Sequence, residues 1–172
     1  MSPYMPNTVI AANTSIRLIQ QIVVGVDGQA EIDFQSIPQT YAALRIVCAW
    51  RNEADVLATT GLRFNGDTAA NYRTLIGGSE ETGATSINFA FISASSSPWS
   101  TYVITDIPFS AGTALLKQTI GTFALIDSDD LGARTDVSGF WNSAAAINRV
   151  TLFIRAGTDF QAGSIVNLYG SV

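Results

Sequence analysis

Strand signals run nearly throughout this chain, and in two segments apolar and polar residues alternate with a period of two, the spacing that turns one face of an extended strand toward a core. AEIDF (30–34) sets Ala30, Ile32 and Phe34 against Glu31 and Asp33, and 85–93 sets Ile87, Phe89 and Phe91 against Ser86, Asn88 and Ala90. IRLIQQIVV, rich in β-branched residues, begins a strand over 16–26 that Gly25 and the Asp27-Gly28 pair close. Asp-Gly between apolar strands is a two-residue hairpin signal, so 16–26 and 29–34 are expected to pair. Ile37-Pro38 breaks the pattern, and 41–50 comes next as a more continuously apolar strand near the core. Further strands are expected over 56–64, 101–109, 115–127, 139–141, 147–155 and 164–169. The intervening loops are FNGDTAANY (64–72), GGSEETG (77–83) and the Ser-rich 93–100, whose Pro98 disfavours a central strand.

The last segment reads INRVTLFIR–AGTDFQAGS–IVNLYG: a strand, a Gly-bearing turn and a strand, expected as a final hairpin that completes a sheet. Helix is scarce, with short candidate turns only at 68–74 and at 143–147, where Asn142 is an N-cap candidate. Roughly eight to ten short strands punctuated by turn signals predict an all-β fold, a sandwich or barrel. A single domain over 16–172 comes after a short N-terminal arm, 1–15.

Composition adds a surface character. Of 172 residues only 13% are charged, about half the usual share, while 47% are hydrophobic. Lys117 is the sole lysine beside eight arginines. Depletion of Lys with retention of Arg and aromatics is the signature of surfaces that pack on other protein, so assembly is expected over a free monomer. The net charge is −5 with no basic stripe, which gives nucleic-acid binding no electrostatic support. The start, MSPYMPNTVIAANTS, has neither the basic nor the apolar region of a signal peptide, and no apolar run approaches the roughly 20 residues of a membrane helix. Synthesis in a cytoplasm and no membrane partner are the expectations.

The inventory of chemistry is thin. Histidine is absent, which removes Ser-His-Asp and Cys-His catalysis and histidine-bearing zinc sites. Cys48 is the single cysteine; it reads as a small buried hydrophobe and cannot build a thiolate cage. No phosphate-cradling or dinucleotide glycine motif is present. Asp127, Asp129 and Asp130 could offer oxygen ligands to calcium, but the pattern lacks EF-hand spacing and reads as a solvated turn. Glu80-Glu81 reads as a loop tip, and Asp67, Asp106 and Asp159 as ordinary turn residues rather than the opposed pair a glycosidase needs. No enzyme, cofactor or metal is expected.

Candidate contact residues remain. In FNGDTAANY, Asn65-Gly66 can form a tight turn, Asp67 can cap the Thr68–Tyr72 turn, and Phe64 and Tyr72 can anchor both ends; the alternative is a ligand loop presenting Asp67, Asn71 and Tyr72. Trp50 reads as core. Trp141 covers one end of the core or offers a sugar platform. Trp99, in SSSPWS, is the best candidate for contact with a partner, and Tyr4 is a candidate in the arm.

The combination of FNGDTAANY (64–72), SGFWNSAAAINRVTLF (138–153), AGTDFQAGSIVNLYG (156–170) and IPQTYAALRI (37–46) resembles virion proteins of tailed bacteriophages, which carry an RFN-D-xx-NY segment and an F-xGSxxxLYG ending. The resemblance covers most of the chain from Ile16 onward. It implies a jelly-roll-like antiparallel β-sandwich, commonly a homotrimer, serving as capsid decoration (cement) protein, head fibre or distal tail-fibre domain, and it carries over no catalytic residue. The short arm favours a decoration protein that binds the major capsid protein on the outer capsid surface of the virion. The alternative it leaves is a receptor-binding tail module that recognises host-surface glycan.

Overall fold

The computed structural model describes residues 15–126 and 132–172, and among these the regular structure is twelve strands and no helix. They are β1 (Ile16–Val23), β2 (Glu31–Phe34), β3 (Ala43–Trp50), β4 (Ala58–Phe64), β5 (Tyr72–Ile76), β6 (Ser79–Ala84), β7 (Ile87–Ile92), β8 (Thr101–Ile107), β9 (Lys117–Ile126), β10 (Gly132–Trp141), β11 (Val150–Ile154) and β12 (Ile165–Ser171). They form two antiparallel sheets, β1-β12-β3-β8-β9-β10-β5-β6 and β2-β11-β4-β7. The strand at 41–50, expected as more continuously apolar, is one-sided: in β3, Leu44, Ile46, Cys48 and Trp50 are buried while Ala43, Arg45, Val47 and Ala49 face out. The inner faces of both sheets merge into one core that includes Phe34, Leu62, Phe64, Leu152 and Leu168. The fold is the expected all-β sandwich.

The pairing is nested. β1 pairs with β12, β2 with β11, β3 with β8 and β4 with β7, so the outermost strands of the chain meet first and the innermost last. Additional pairs, β12 with β3 and β11 with β4, join the turns of this wound ribbon into sheets. The remaining four strands, β9-β10-β5-β6, extend the larger sheet beyond β8.

This topology corrects both expected hairpins. β1 and β2 do not pair but enter opposite sheets, and so do β11 and β12. The Asp27-Gly28 turn does form, with Gly28 at φ 71° and its N–H bonded to the Gly25 carbonyl at 3.2 Å. β1, however, has ended at Val23, and 24–30 spans the gap between the sheets instead of reversing within one. β12 then lies inside the large sheet between β1 and β3. A local hairpin forms instead at GGSEETG, a segment whose composition predicts a loop: β5 and β6 pair around Gly77-Gly78, both at positive φ. β6 has no apolar alternation because it is an edge strand, and its Glu80 and Glu81 guard that edge from further pairing. β10 extends over ten residues, where the pattern predicts only 139–141. Neither 68–74 nor 143–147 is helical.

The crossings at one end are laced together by backbone hydrogen bonds. Gln29 and Phe160 exchange N–H···O bonds of 3.2 and 2.9 Å, Glu53 N–H reaches Asp159 O at 2.9 Å, and Gln161 N–H reaches Arg51 O at 2.8 Å. Phe160, at the centre, is fully buried and stacks on Trp50 with centroids 5.2 Å apart; Trp50 meets Phe89 edge-on at 5.9 Å. Phe160→Ala is therefore expected to cost about 3–5 kcal/mol, read as a lower urea midpoint with unchanged m-value. Val26→Ala in the same set of crossings, 91% exposed, should stay within about 0.5 kcal/mol of wild type.

Candidate functional site

FNGDTAANY runs from the last residue of β4 to the first of β5, and its side chains are spent on holding the chain there. Asn65 and Gly66 adopt φ of 53° and 69°, a left-handed pair that Asn and Gly tolerate best. The Asn65 amide donates to Ala146 O at 2.8 Å and accepts from the N–H groups of Asn148 (2.9 Å) and Arg149 (3.2 Å). Asp67 accepts Ala69 N–H at 2.9 Å on one oxygen, and Asn71 Nδ2 at 3.0 Å and Trp141 Nε1 at 2.7 Å on the other. The Tyr72 hydroxyl accepts Phe64 N–H at 3.1 Å and lies 3.2 Å from Asp67 O, to which it can donate. Its ring stacks nearly parallel to Trp141, at 6.3 Å and 14°, and Phe64 leans on the same indole at 5.6 Å.

The electrostatics are set by these bonds. The Asn71 amide, then the Trp141 indole and Ala69 N–H, hold the Asp67 carboxyl below the usual carboxylate range against an opposing upward push from burial. Burial, chiefly, raises the Tyr72 phenol to about 12. A carboxylate with both oxygens occupied and a buried, protonated phenol are a structural lock. They offer a ligand neither a free base nor an exposed ring.

The other candidates lie elsewhere. Trp99 is 50% exposed in the turn between β7 and β8. Because Ala58 pairs with Ile92, that turn is at the end of the sandwich opposite the Asp67 loop, so Trp99 and Tyr72 cannot share one site. Tyr4 and the acidic stretch 127–130 fall outside the described residues. Asp106 is not a turn residue: it sits in β8, where both oxygens receive Arg45 at 2.6 and 2.9 Å. Glu81, expected at a loop tip, is in β6 and takes a two-pronged bond from Arg155 at 2.7 and 3.0 Å. Cys48 is fully buried, and burial pushes its thiol well above its ordinary range. Among the described residues no three acidic or cysteine side chains converge as a metal site.

The outer faces of the two sheets differ sharply. On the small sheet, Asp33 takes Arg149 Nε at 2.8 Å and Thr151 Oγ1 at 2.9 Å, and the Arg63 guanidinium lies 4.1 Å over the Phe153 ring. Burial pushes the Asp33 carboxyl up, but the bonds from Arg149, Gln35 and Thr151 together bring it below its ordinary value. On the large sheet the cross-strand registers align Val23, Ile165, Ala49, Tyr102 and Ala124 in one row, and Gln21, Asn167, Val47, Ile104 and Thr122 in the next. The next row holds Arg45 bonded to Asp106, so the charge there is cancelled within the sheet. This apolar face is not legible in the sequence as a unit, because five strands assemble it and the outward residues of each strand alone read as solvent-facing.

Asp67→Asn leaves one acceptor oxygen where two serve three donors, so a destabilisation of about 1–3 kcal/mol at neutral pH is expected. The folded-state pKa of Asp67 is depressed, so its contribution is full above the unfolded carboxylate value near ~3.9 and is lost as pH falls through the folded value. The gap between wild type and variant in urea unfolding should therefore narrow below that pH, with Asp33 supplying the acid sensitivity that remains.

No protein-family model matches the chain and no curated protein matches it, so what it does must rest on its own residues.

Proposed function

We propose that this protein is a non-enzymatic structural component of a tailed-phage virion, a homotrimeric capsid decoration protein that binds the major capsid protein on the outer surface of the head. The observation that carries the assembly part is the outer face of the large sheet. Val47, Ile104, Ile165 and Tyr102 lie side by side there, and the adjacent Arg45–Asp106 pair is neutral in itself. A largely apolar face whose Arg45–Asp106 pair is already bonded, and whose Gln21 and Asn167 amides bond each other, can be apposed to another copy without stranding that ion pair, and large exposed apolar patches are a mark of interaction surfaces. The nested strand pairing supports reading the sandwich as a jelly roll, since two interlocked antiparallel keys produce that order. Three subunits acting together multiply a weak contact with a shell, which is how a decoration protein would hold on.

The exposed ring of Trp99 favours a second reading, a receptor-binding tail module for host glycan. Tyr72 and Asp67 do not contribute to it, since one is buried and the other is fully bonded.

Light scattering on the purified protein is expected to give a trimer, and Ile104→Arg to give a monomer that still unfolds cooperatively, with a loss of about 0.5–3 kcal/mol because Ile104 is half-buried. A monomeric wild type would overturn the trimer. For the location, DNA-filled heads stripped of tails should retain the protein, and heads that lack it would overturn the capsid assignment.

A further inference from the structure

A cleft of about 440 Å³ opens where the four added strands run side by side. Its middle is Phe140, which projects outward from β10, 40% exposed, between two cross-strand neighbours: Gln118 of β9 and Arg73 of β5. Leu116, also exposed, extends the apolar floor. The amides of Asn142 and Gln118 line it too, beside Asn71, whose Nδ2 is already bonded to Asp67 at 3.0 Å. Arg73 and Glu80 stand 3.8 Å apart on the remaining side. Lys117 reaches the cleft but turns its ammonium to the carbonyls of Gly112 and Leu115.

We propose that this cleft binds a neutral saccharide of one or two rings. The volume is within the range of about 300–1,000 Å³ typical of small-molecule sites. An exposed aromatic face matches the C–H face of a sugar ring. Primary amides both donate and accept, as sugar hydroxyls do, so either partner can satisfy the other. The opposed charges of Arg73 and Glu80 cancel, and the lysine is already bonded, so the lining selects neither an anion nor a cation. A wholly apolar ligand would leave the amide rim unpaired, which is costly on burial. The site lies two rows along β9 from the row of Ile104, at Gln118 rather than Thr122, and it does not depend on the assembly reading.

The test is titration of isotope-labelled protein with glucose, galactose, N-acetylglucosamine and maltose, read through amide and side-chain NH₂ shifts, with glucuronate as a charged comparison. At least one neutral sugar should give saturable shifts confined to Asn71, Gln118, Asn142 and the neighbours of Phe140. Phe140→Ala should weaken that binding about tenfold, and since the ring faces outward the core is left intact. Gln118→Ala, a surface change, should weaken it as well. Ile104→Arg should bind sugar like wild type, so a failed trimer and a failed cleft are read separately. Absence of saturable binding by all four neutral sugars, tighter binding of glucuronate, or binding indifferent to Phe140→Ala and Gln118→Ala would overturn the proposal.

Discussion

The constraint on which this structure depends is that neighbours in sequence are mostly not neighbours in a sheet. Every consecutive pair of strands changes sheets except β5 with β6, β8 with β9 and β9 with β10. A sheet buries one face only if a second sheet covers it, and this chain builds both sheets at once by winding a ribbon around its own core. Each crossing must bridge roughly 10 Å of core without leaving backbone groups unpaired. The crossings meet this by bonding to one another, and Phe160 fills the space beneath them. Remove that ring and three crossings lose a common support. Because the first and last strands must find each other before the ribbon closes, most of the stabilising contacts are distant in sequence, an arrangement that folds slowly compared with local hairpins.

That constraint also decides what could be read from sequence. Alternation is a local property: it located β2, whose Ile32 and Phe34 are buried, and it located β7 but not its inner face, because a bulge opposite Thr60–Gly61 buries Ala90 and leaves Phe91 part buried. The partner of a strand is not local. Asp27-Gly28 carries a hairpin signal and makes a real turn, yet nothing nearby reports that β1 stops at Val23 and that 24–30 must travel to the other sheet. β6 was invisible for the opposite reason: SEETGA is exposed on an edge, so it has no apolar face to betray it. At the Asp67 loop the sequence did better. Asn65-Gly66 and the two anchoring aromatics were legible because turn chemistry is local, whereas the Trp141 indole that completes the lock is 74 residues away in the chain.

The two outer faces represent two ways of finishing a sheet. The small sheet is closed by its own side chains: Asp33 gathers Arg149 and Thr151, and Phe153 lies between Arg63 and the bare backbone of Gly61, where a Cβ would come within 2.3 Å of the ring. Substituting Gly61 would push that ring out of place. On the large sheet, among the described residues, Val47, Ile104 and Ile165 stay half-buried on the outer face. Its one ion pair in these rows, Arg45 with Asp106, is satisfied within the sheet and asks nothing of a partner. One face is complete in the monomer, and the other gains most from apposition to another surface.

The added strands divide the labour further. The eight nested strands make the wound ribbon, and β9, β10, β5 and β6 widen one sheet while sharing its core through Tyr72, Phe123, Val137 and Trp141. The widened part rests on β7, where the Asn88 N–H bonds Thr74 Oγ1 at 2.8 Å, and its end is pinned to the small sheet as well. The Asp67 lock is that pin: the loop leaving β4 of the small sheet bonds the indole at the end of β10, and the Tyr72 hydroxyl at the start of β5 bonds back to Phe64. Rigid placement of β5 against β10 is in turn what holds Arg73 beside Phe140 and gives the cleft a fixed shape. Function tends to reside on segments held by a scaffold rather than on the scaffold itself. Here the scaffold is the wound ribbon, the added strands are what it presents, and Asp67 and Tyr72, ligand candidates by their sequence, are the residues that join the two.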